Sequence, residues 1–305
     1  MPDEALGEAV AIKSALADPS LVPGVVDELA PLLRRVVAPN PGMLTGPGTN
    51  TYLVGDDVIA VVDPGPKDEG HLKAILSAAS APVRYVLVTH THPDHAPLAG
   101  ALAQETGAEL LGHSARDGFR PDRTLADGDT VDLGSTRLTA LHTPGHQSNH
   151  LCFLADPVAA PHDGLPASGP WLLTGDHVMA GSTVVISPPD GDMAAYLASL
   201  ERVLGLAPPV AAIAPGHGPV ITEPAAVVRA TIAHRLAREA SILEALRRIG
   251  PSRTDRIVSV VYTDVDLDRH EVARKSTWAH LRKLAGEGAA VSSDADDPEA
   301  TWTAT

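Results

Sequence analysis

The chain is poor in sulfur and in aromatic rings: its 305 residues include one cysteine, four methionines and 3% aromatic side chains. One thiol excludes internal disulfides and accords with a reducing compartment. That thiol, Cys152, sits in the apolar run Leu151-Cys152-Phe153-Leu154 and reads as a buried structural group rather than a nucleophile. With so few rings, the core must be built from Val, Leu, Ile and Ala. Long apolar runs are lacking too; the longest, 203–215, is broken by Pro208 and Pro209 and cannot span a membrane. The first twenty residues carry acidic groups and no apolar segment of the length a signal peptide needs. The expectation is a soluble cytoplasmic protein, long enough for one large core with a small appended domain.

Positive charge is scarce as well. Lys plus Arg number 23 against 38 Asp plus Glu, a net charge of -15. From residue 225 onward acids and bases balance at twelve each, so the whole excess falls on residues 1–224. An acidic domain of this kind repels polyanions at long range, although bound cations would alter the field at a site.

What is present is histidine, concentrated at strand ends. Thr89-His90-Thr91-His92-Pro93-Asp94-His95 packs three imidazoles and a carboxylate directly behind the apolar stretch 83–88. Neutral imidazole and carboxylate are the usual ligands of zinc and related ions. At the carboxyl edge of a sheet, such a run brings several of them to one place. Pro93 suits the first position of a helix, which would put Asp94 and His95 in its first turn. An ordinary polar loop is the competing reading.

Three further sites share the pattern of strand, glycine and then ligand: His146 in Thr143-Pro144-Gly145-His146, Asp176 in Leu172-Leu173-Thr174-Gly175-Asp176-His177, and His217 in Ala214-Pro215-Gly216-His217. Glycine lets the backbone bend sharply and approach another group closely. A lone His in a turn is more often structural than a ligand, but together with the first cluster these carry weight.

On these residues the chain resembles a metallo-β-lactamase-fold hydrolase, over roughly residues 34–222. The HxHxDH motif is matched by His90, His92, Asp94 and His95, and the later His, Asp and His by His146, Asp176 and His217. The segments 48–54 and Val61-Val62-Asp63-Pro64-Gly65 are similar to the family's first strands. The resemblance implies two divalent metal ions, zinc by ligand type. One ion takes His90, His92 and His146 and the other takes Asp94, His95 and His217, with Asp176 bridging. It also implies a homodimer. Two ions about 3.5–4 Å apart lower the pKa of a shared water toward roughly 7, so metal-bound hydroxide is the expected nucleophile and Asp94 would orient it.

The fold class expected is α/β, an αββα sandwich over residues 1–222, followed by a long helix and a winged helix over residues 223–305. Strands are predicted over 51–54, 58–62, 83–88, 108–111, 130–133, 136–141, 151–154, 171–174 and 210–213. Helices are predicted over 68–79, 98–106 and 193–206, and 156–170 reads as a loop whose His162 and Asp163 are solvated. Beyond it come a helix over 225–249 stopped at Gly250-Pro251, a short helix over 256–262, a turn through 264–268, a helix over 269–285 and a wing strand near 289–292. The combination is similar to the endoribonuclease branch of the family, of the lactamase-β-2 type, on the stretches PGHGPVI, HRLARE and AHLRKLAGEG.

By that resemblance the leading expectation is cleavage of single-stranded RNA. The basic residues Arg274, Lys275, Arg282 and Lys283 of the last helix, with His177 beside the metals, would contact substrate. A solvated face balanced by neighbouring acids is the plain alternative for those bases. The rival activity is hydrolysis of a small ester or thioester, as in glyoxalase II or acyl-carrier thioesterases. A third reading is a nucleic-acid-binding regulator with a non-catalytic metal domain. His142 and His150 read as structural groups or as supports of a ligand.

Overall fold

The computed structural model describes residues 21–156, 169–263 and 265–305. The acidic amino-terminal stretch, the greater part of the expected 156–170 loop with His162 and Asp163, and Asp264 of the expected turn lie outside the described residues. The chain forms two compact units. The first comprises the described parts of Met1–Thr143, Asn149–Ser182 and Val203–Val227, and the second Pro144–Ser148, Thr183–Arg202 and Val228–Thr305.

The first unit is built on two sheets. One has seven strands hydrogen-bonded in chain order: β1 (Val26–Ala30), β2 (Leu33–Val37), β3 (Asn50–Val54), β4 (Ile59–Val62), β5 (Val83–Leu87), β6 (Glu109–Gly112) and β7 (Arg123–Thr124). Pairing is antiparallel as far as β4 and parallel beyond it. The parallel crossovers run through α1 (Glu69–Ala78) and α2 (Ala99–Thr106). Asp68 caps α1 by accepting the His71 backbone N–H at 2.7 Å, and Gly107, at φ 70, closes α2. The other sheet holds β8 (Thr130–Asp132), β9 (Arg137–His142), β10 (Leu151–Asp156), β11 (Trp171–Gly175) and β12 (Ala212–Pro215), again in chain order, with only β11 and β12 parallel.

Alternation along the strands sets the layers. Tyr52, Val54, Ala60 and Val62 point to one face and join Leu138, Ala140, Phe153, Trp171 and Leu173 of the second sheet. Leu53, Ile59, Val61 and Val86 point to the other and meet Ile75 of α1 and Leu102 of α2. Each such side chain contributes roughly 1.5–3 kcal/mol by leaving water. The result is the expected α/β sandwich, and it puts the carboxyl ends of β4, β5, β11 and β12 where the polar residues begin.

Besides the short β7, which was not expected, two details of this unit differ from the sequence reading. The β1–β2 hairpin went unread because charge interrupts its alternation: Arg35 is buried and pairs with Asp27 at 2.6 Å. Pro93 does not open a helix. Residues 93–95 form a turn, with His95 N–H donating to His92 O at 3.0 Å, and α2 starts only at Ala99. Pro97 has no N–H to carry a helix through, and it disfavours helical geometry at Ala96.

In the second unit, α4 (Pro224–Ile249) starts at a proline, whose missing N–H would be unbonded there in any case, and stops at Gly250, φ 76. β13 (Ser252–Arg253), α5 (Thr254–Val261), α6 (His270–Gly286), β14 (Ala290–Ser292) and β15 (Thr301–Ala304) follow, the strands in the order β13-β15-β14. Ile242, Leu246, Ile257, Leu281, Leu284 and Trp302 form the core of this winged helix. The sequence reading missed β13 and the central strand, β15. Among the described residues no helix is long and apolar enough to cross a membrane.

Candidate metal centre

Four strands of the first unit end in polar side chains that converge. Asp63 follows β4, Thr89 to His95 follow β5, Asp176 follows β11 and His217 follows β12. Donor atoms of Asp94, His95, Asp176 and His217 all lie within 4.8 Å of one another, as do those of His90, His92 and Asp176. Asp176 divides its carboxylate between the two sets. Its Oδ1 is 3.3 Å from both His95 Nε2 and His217 Nε2, and its Oδ2 is 4.0 Å from His90 Nε2. Asp94 Oδ2 closes the second set, 3.2 Å from His217 Nε2 and 3.5 Å from His95 Nε2. Six of the seven expected ligands thus share one unit. The seventh, His146, belongs to the second unit, where its Nδ1 lies 2.8 Å from Val185 O.

The imidazoles are oriented from behind. Asp63, 2% exposed and at φ 51, accepts the Thr89 backbone N–H on Oδ1 at 2.7 Å. Its Oδ2 accepts both Thr89 Oγ1–H and His95 Nδ1–H, at 2.7 and 2.8 Å. With its hydrogen committed to Asp63, Thr89 Oγ1 is an acceptor for His90 Nδ1–H at 3.0 Å. Gly48 O accepts His217 Nδ1–H at 3.2 Å, and Val185 O accepts that of His146. In each ring Nδ1 is directed at an acceptor, so Nε2 is the atom offered to a cation, which would displace any proton held there. His92 is reversed: its Nδ1 sits 3.0 Å from His90 Nε2. Asp63 is the functional residue that sequence reasoning missed. The signal was a carboxylate directly behind an apolar strand, noted only as part of the strand pattern.

Burial works against charge on these groups, and their neighbours reverse it. Burial pushes the Asp94 carboxyl up, but His95 and His217 outweigh it and bring it down to about 2. Asp176 is held well below the usual carboxylate range against burial by His217, His95 and His90. His95 is held well above the usual imidazole range, burial being outweighed by Asp94, Asp176 and Asp63. Carboxylates this firmly ionised beside basic imidazole nitrogens suit cations.

Two geometric observations agree. His95 Nε2 is buried and makes no hydrogen bond, although it faces two carboxylates. A Cβ at Gly216 would stand 2.8 Å from His95 Cε1 and 2.9 Å from Asp176 Oδ1, so glycine is what lets the backbone close around these donors. Nitrogen and oxygen donors without thiolate fit divalent first-row ions such as zinc.

The residues expected at substrate fare differently. His177 is 0% exposed, its ring centroid 6.0 Å from that of His150, so it packs within the fold. In the winged helix, Arg274 pairs with Glu271 and Glu299, Arg282 with Asp296, and Lys283 with Glu239 and Glu287. Lys275 is exposed. Cys152 is fully buried, 3.2 Å from Thr143 Oγ1, as its apolar setting implied.

Residues 44–157 match the metallo-beta-lactamase superfamily, and residues 254–302 match the beta-lactamase associated winged helix domain. Over 303 residues the chain is 30% identical to the "Beta-lactamase-like protein 2 homolog" of Drosophila melanogaster, covering 91% of this chain and 96% of that one. The chain belongs to the metallo-beta-lactamase superfamily. Members of this superfamily are metal-dependent hydrolases, and the His/Asp cluster fits that chemistry. The chain is also 28% identical over 278 residues to an "Atrochrysone carboxyl ACP thioesterase" of Claviceps purpurea (strain 20.1), covering 86% of this chain and 83% of the relative. A beta-lactamase domain protein of Burkholderia ambifaria has the same fold, with a TM-score of 0.74 at 24% identity, covering 93% and 95% of the two chains.

Proposed function

We propose that this superfamily member hydrolyses a small thioester or ester, with a centre of two divalent ions, zinc by donor type. One ion is assigned to His90, His92 and His146, the other to Asp94, His95 and His217, and Asp176 to both. The division of the Asp176 oxygens between two sets of imidazoles is the observation that carries the dinuclear reading. Such a pair, when bound, supplies a water acidified toward roughly pKa 7 and a Lewis acid for the developing oxyanion.

The chain's own residues do the rest. Nδ1 hydrogen bonds to Asp63, Thr89 and Gly48 fix three rings so that their lone pairs need no reorganisation. Asp94, with 25% of its side chain exposed against 11% for Asp176 and 3% for Asp63, is the carboxylate open to solvent. It accepts a hydrogen from the incoming water and turns that oxygen toward the carbonyl carbon. No Ser or Cys nucleophile is required.

Substrate charge favours the carbonyl reading. Three of the four basic side chains that would meet a phosphate chain are committed to acids of their own unit, and residues 1–224 carry the whole net charge of -15. The likeness to an acyl-carrier thioesterase covers 86% of this chain and 83% of that relative. Cleavage of single-stranded RNA is the second reading, favoured by the winged helix itself and by exposed Lys275. Acyl-pantetheine thioesters and labelled single-stranded RNA, offered to one preparation with and without chelator, separate the two. Chelator-sensitive thiol release without RNA cleavage is expected, and the reverse pattern would overturn the proposal.

A further inference from the structure

Asp190, Asp192, Tyr196 and Ser199 of its own unit hold the His146 loop. Gly145, φ 142, lies so close to α3 (Met193–Leu204) that a Cβ there would stand 2.3 Å from Tyr196 Cα. Gly145 O accepts Asp192 N–H at 2.8 Å, and Pro144 O accepts Ser199 Oγ–H at 2.8 Å. Asp190 takes Ser148 Oγ–H at 2.6 Å and its backbone N–H at 3.2 Å. The ring's Nδ1 donates to Val185 O at 2.8 Å.

The neighbouring carbonyl, Val184 O, is gripped by Arg235 Nη2–H from the long helix α4. The Arg235 guanidinium is 3% exposed and stands over the Tyr196 ring, 5.6 Å from its centroid. No carboxylate pairs with it among the described residues, and its Nε makes no hydrogen bond. A buried cation so poorly compensated costs stability, which leaves its grip on the strap and on Tyr196 as the visible return.

We propose that Arg235 is a positioning residue for the metal centre. It fixes the Val184–Val185 strap and the helix under Gly145, and through them the direction of the His146 imidazole. Occupancy of the ion assigned to His146 then depends on Arg235, and occupancy of the other does not. This rests on the assignment of His146 as a ligand.

The test uses the full-length chain and three variants, His146→Ala, Arg235→Met and Arg235→Lys, each loaded with zinc alone. Zinc per chain and its release to a competing chelator are read by elemental analysis, and folding by thermal melting of the chelated protein. Arg235→Met is expected to hold one tightly bound ion where the parent holds two, with an unchanged melt in chelator. Arg235→Lys, which can still reach a carbonyl but not stack on Tyr196, should retain the second ion with roughly 10- to 100-fold weaker affinity.

Two ions with parental chelator resistance in both Arg235 variants would overturn the proposal. If His146→Ala also keeps two ions, the ligand assignment itself has failed. If His146→Ala loses one and the Arg235 variants do not, only the positioning role has failed. Should Arg235→Met not fold, Arg235→Lys decides by the same readout.

Discussion

Asp63 takes the Nδ1 hydrogen of His95 at 2.8 Å from the end of the neighbouring parallel strand. The same oxygen also accepts Thr89 Oγ1–H, so one buried carboxylate sets the tautomers of His95 and, through Thr89, of His90. It bears directly on a ring assigned to one ion and, through Thr89, on a ring assigned to the other.

Asp63→Asn should therefore weaken both sites at once. Its amide can accept only on one atom, and a ring that loses its Nδ1 partner is free to turn. Metal affinity should fall about 10- to 100-fold, measured by chelator competition. An unchanged affinity would show that the three hydrogen bonds merely secure the loop.

Gly216→Ala should fold yet lose metal. The added methyl would meet His95 Cε1 at 2.8 Å and Asp176 Oδ1 at 2.9 Å. Overpacking costs about 1–3 kcal/mol in denaturant titrations. Full metal content in this variant would contradict the closeness of the cradle.

His71 offers a pH prediction away from the metals. Burial pushes its pKa down to about 4, partly offset by Asp68. The folded protein therefore resists a proton that the unfolded chain accepts near 6.5. Stability from this group is complete above that value, falls as pH drops toward 4, and is level below. The slope reaches about 1.4 kcal/mol per pH unit. Denaturant melts of His71→Gln should be flatter than the parent between pH 6.5 and 4, and parallel curves would refute the shift.

Chelation should lower the melting temperature. With free zinc at a hundredfold over its dissociation constant, binding adds about 2.7 kcal/mol. For a unit of this size that is roughly 5–10 °C, read by calorimetry with and without chelator. No shift would argue that the cluster does not take up metal.

The His/Asp cluster was legible because most of its members closely follow apolar strands, where position along the chain predicts position in space. The αββα layering was expected from the family resemblance, carried by the His/Asp motifs and by the segments 48–54 and 61–65. Other features depended on partners far away in sequence. Arg35 reads as a surface cation until Asp27 is seen beside it. Trp302 gave no strand signal in a short terminal segment, yet it is fully buried at the centre of its sheet. The bases of α6 looked like a phosphate-binding stripe because their acid partners, Glu239 and Glu299 among them, come from other elements. Asp63 resembled any aspartate after a strand, because its meaning comes from the adjacent strand.

The internal pairing of Arg274, Arg282 and Lys283 bears on how reactants arrive. Short-range neutralisation leaves little field beyond a few ångströms, so this unit offers no attraction at a distance. Encounter there is then governed by diffusion and shape, and any change of kcat/KM with ionic strength should come from the acidic residues 1–224.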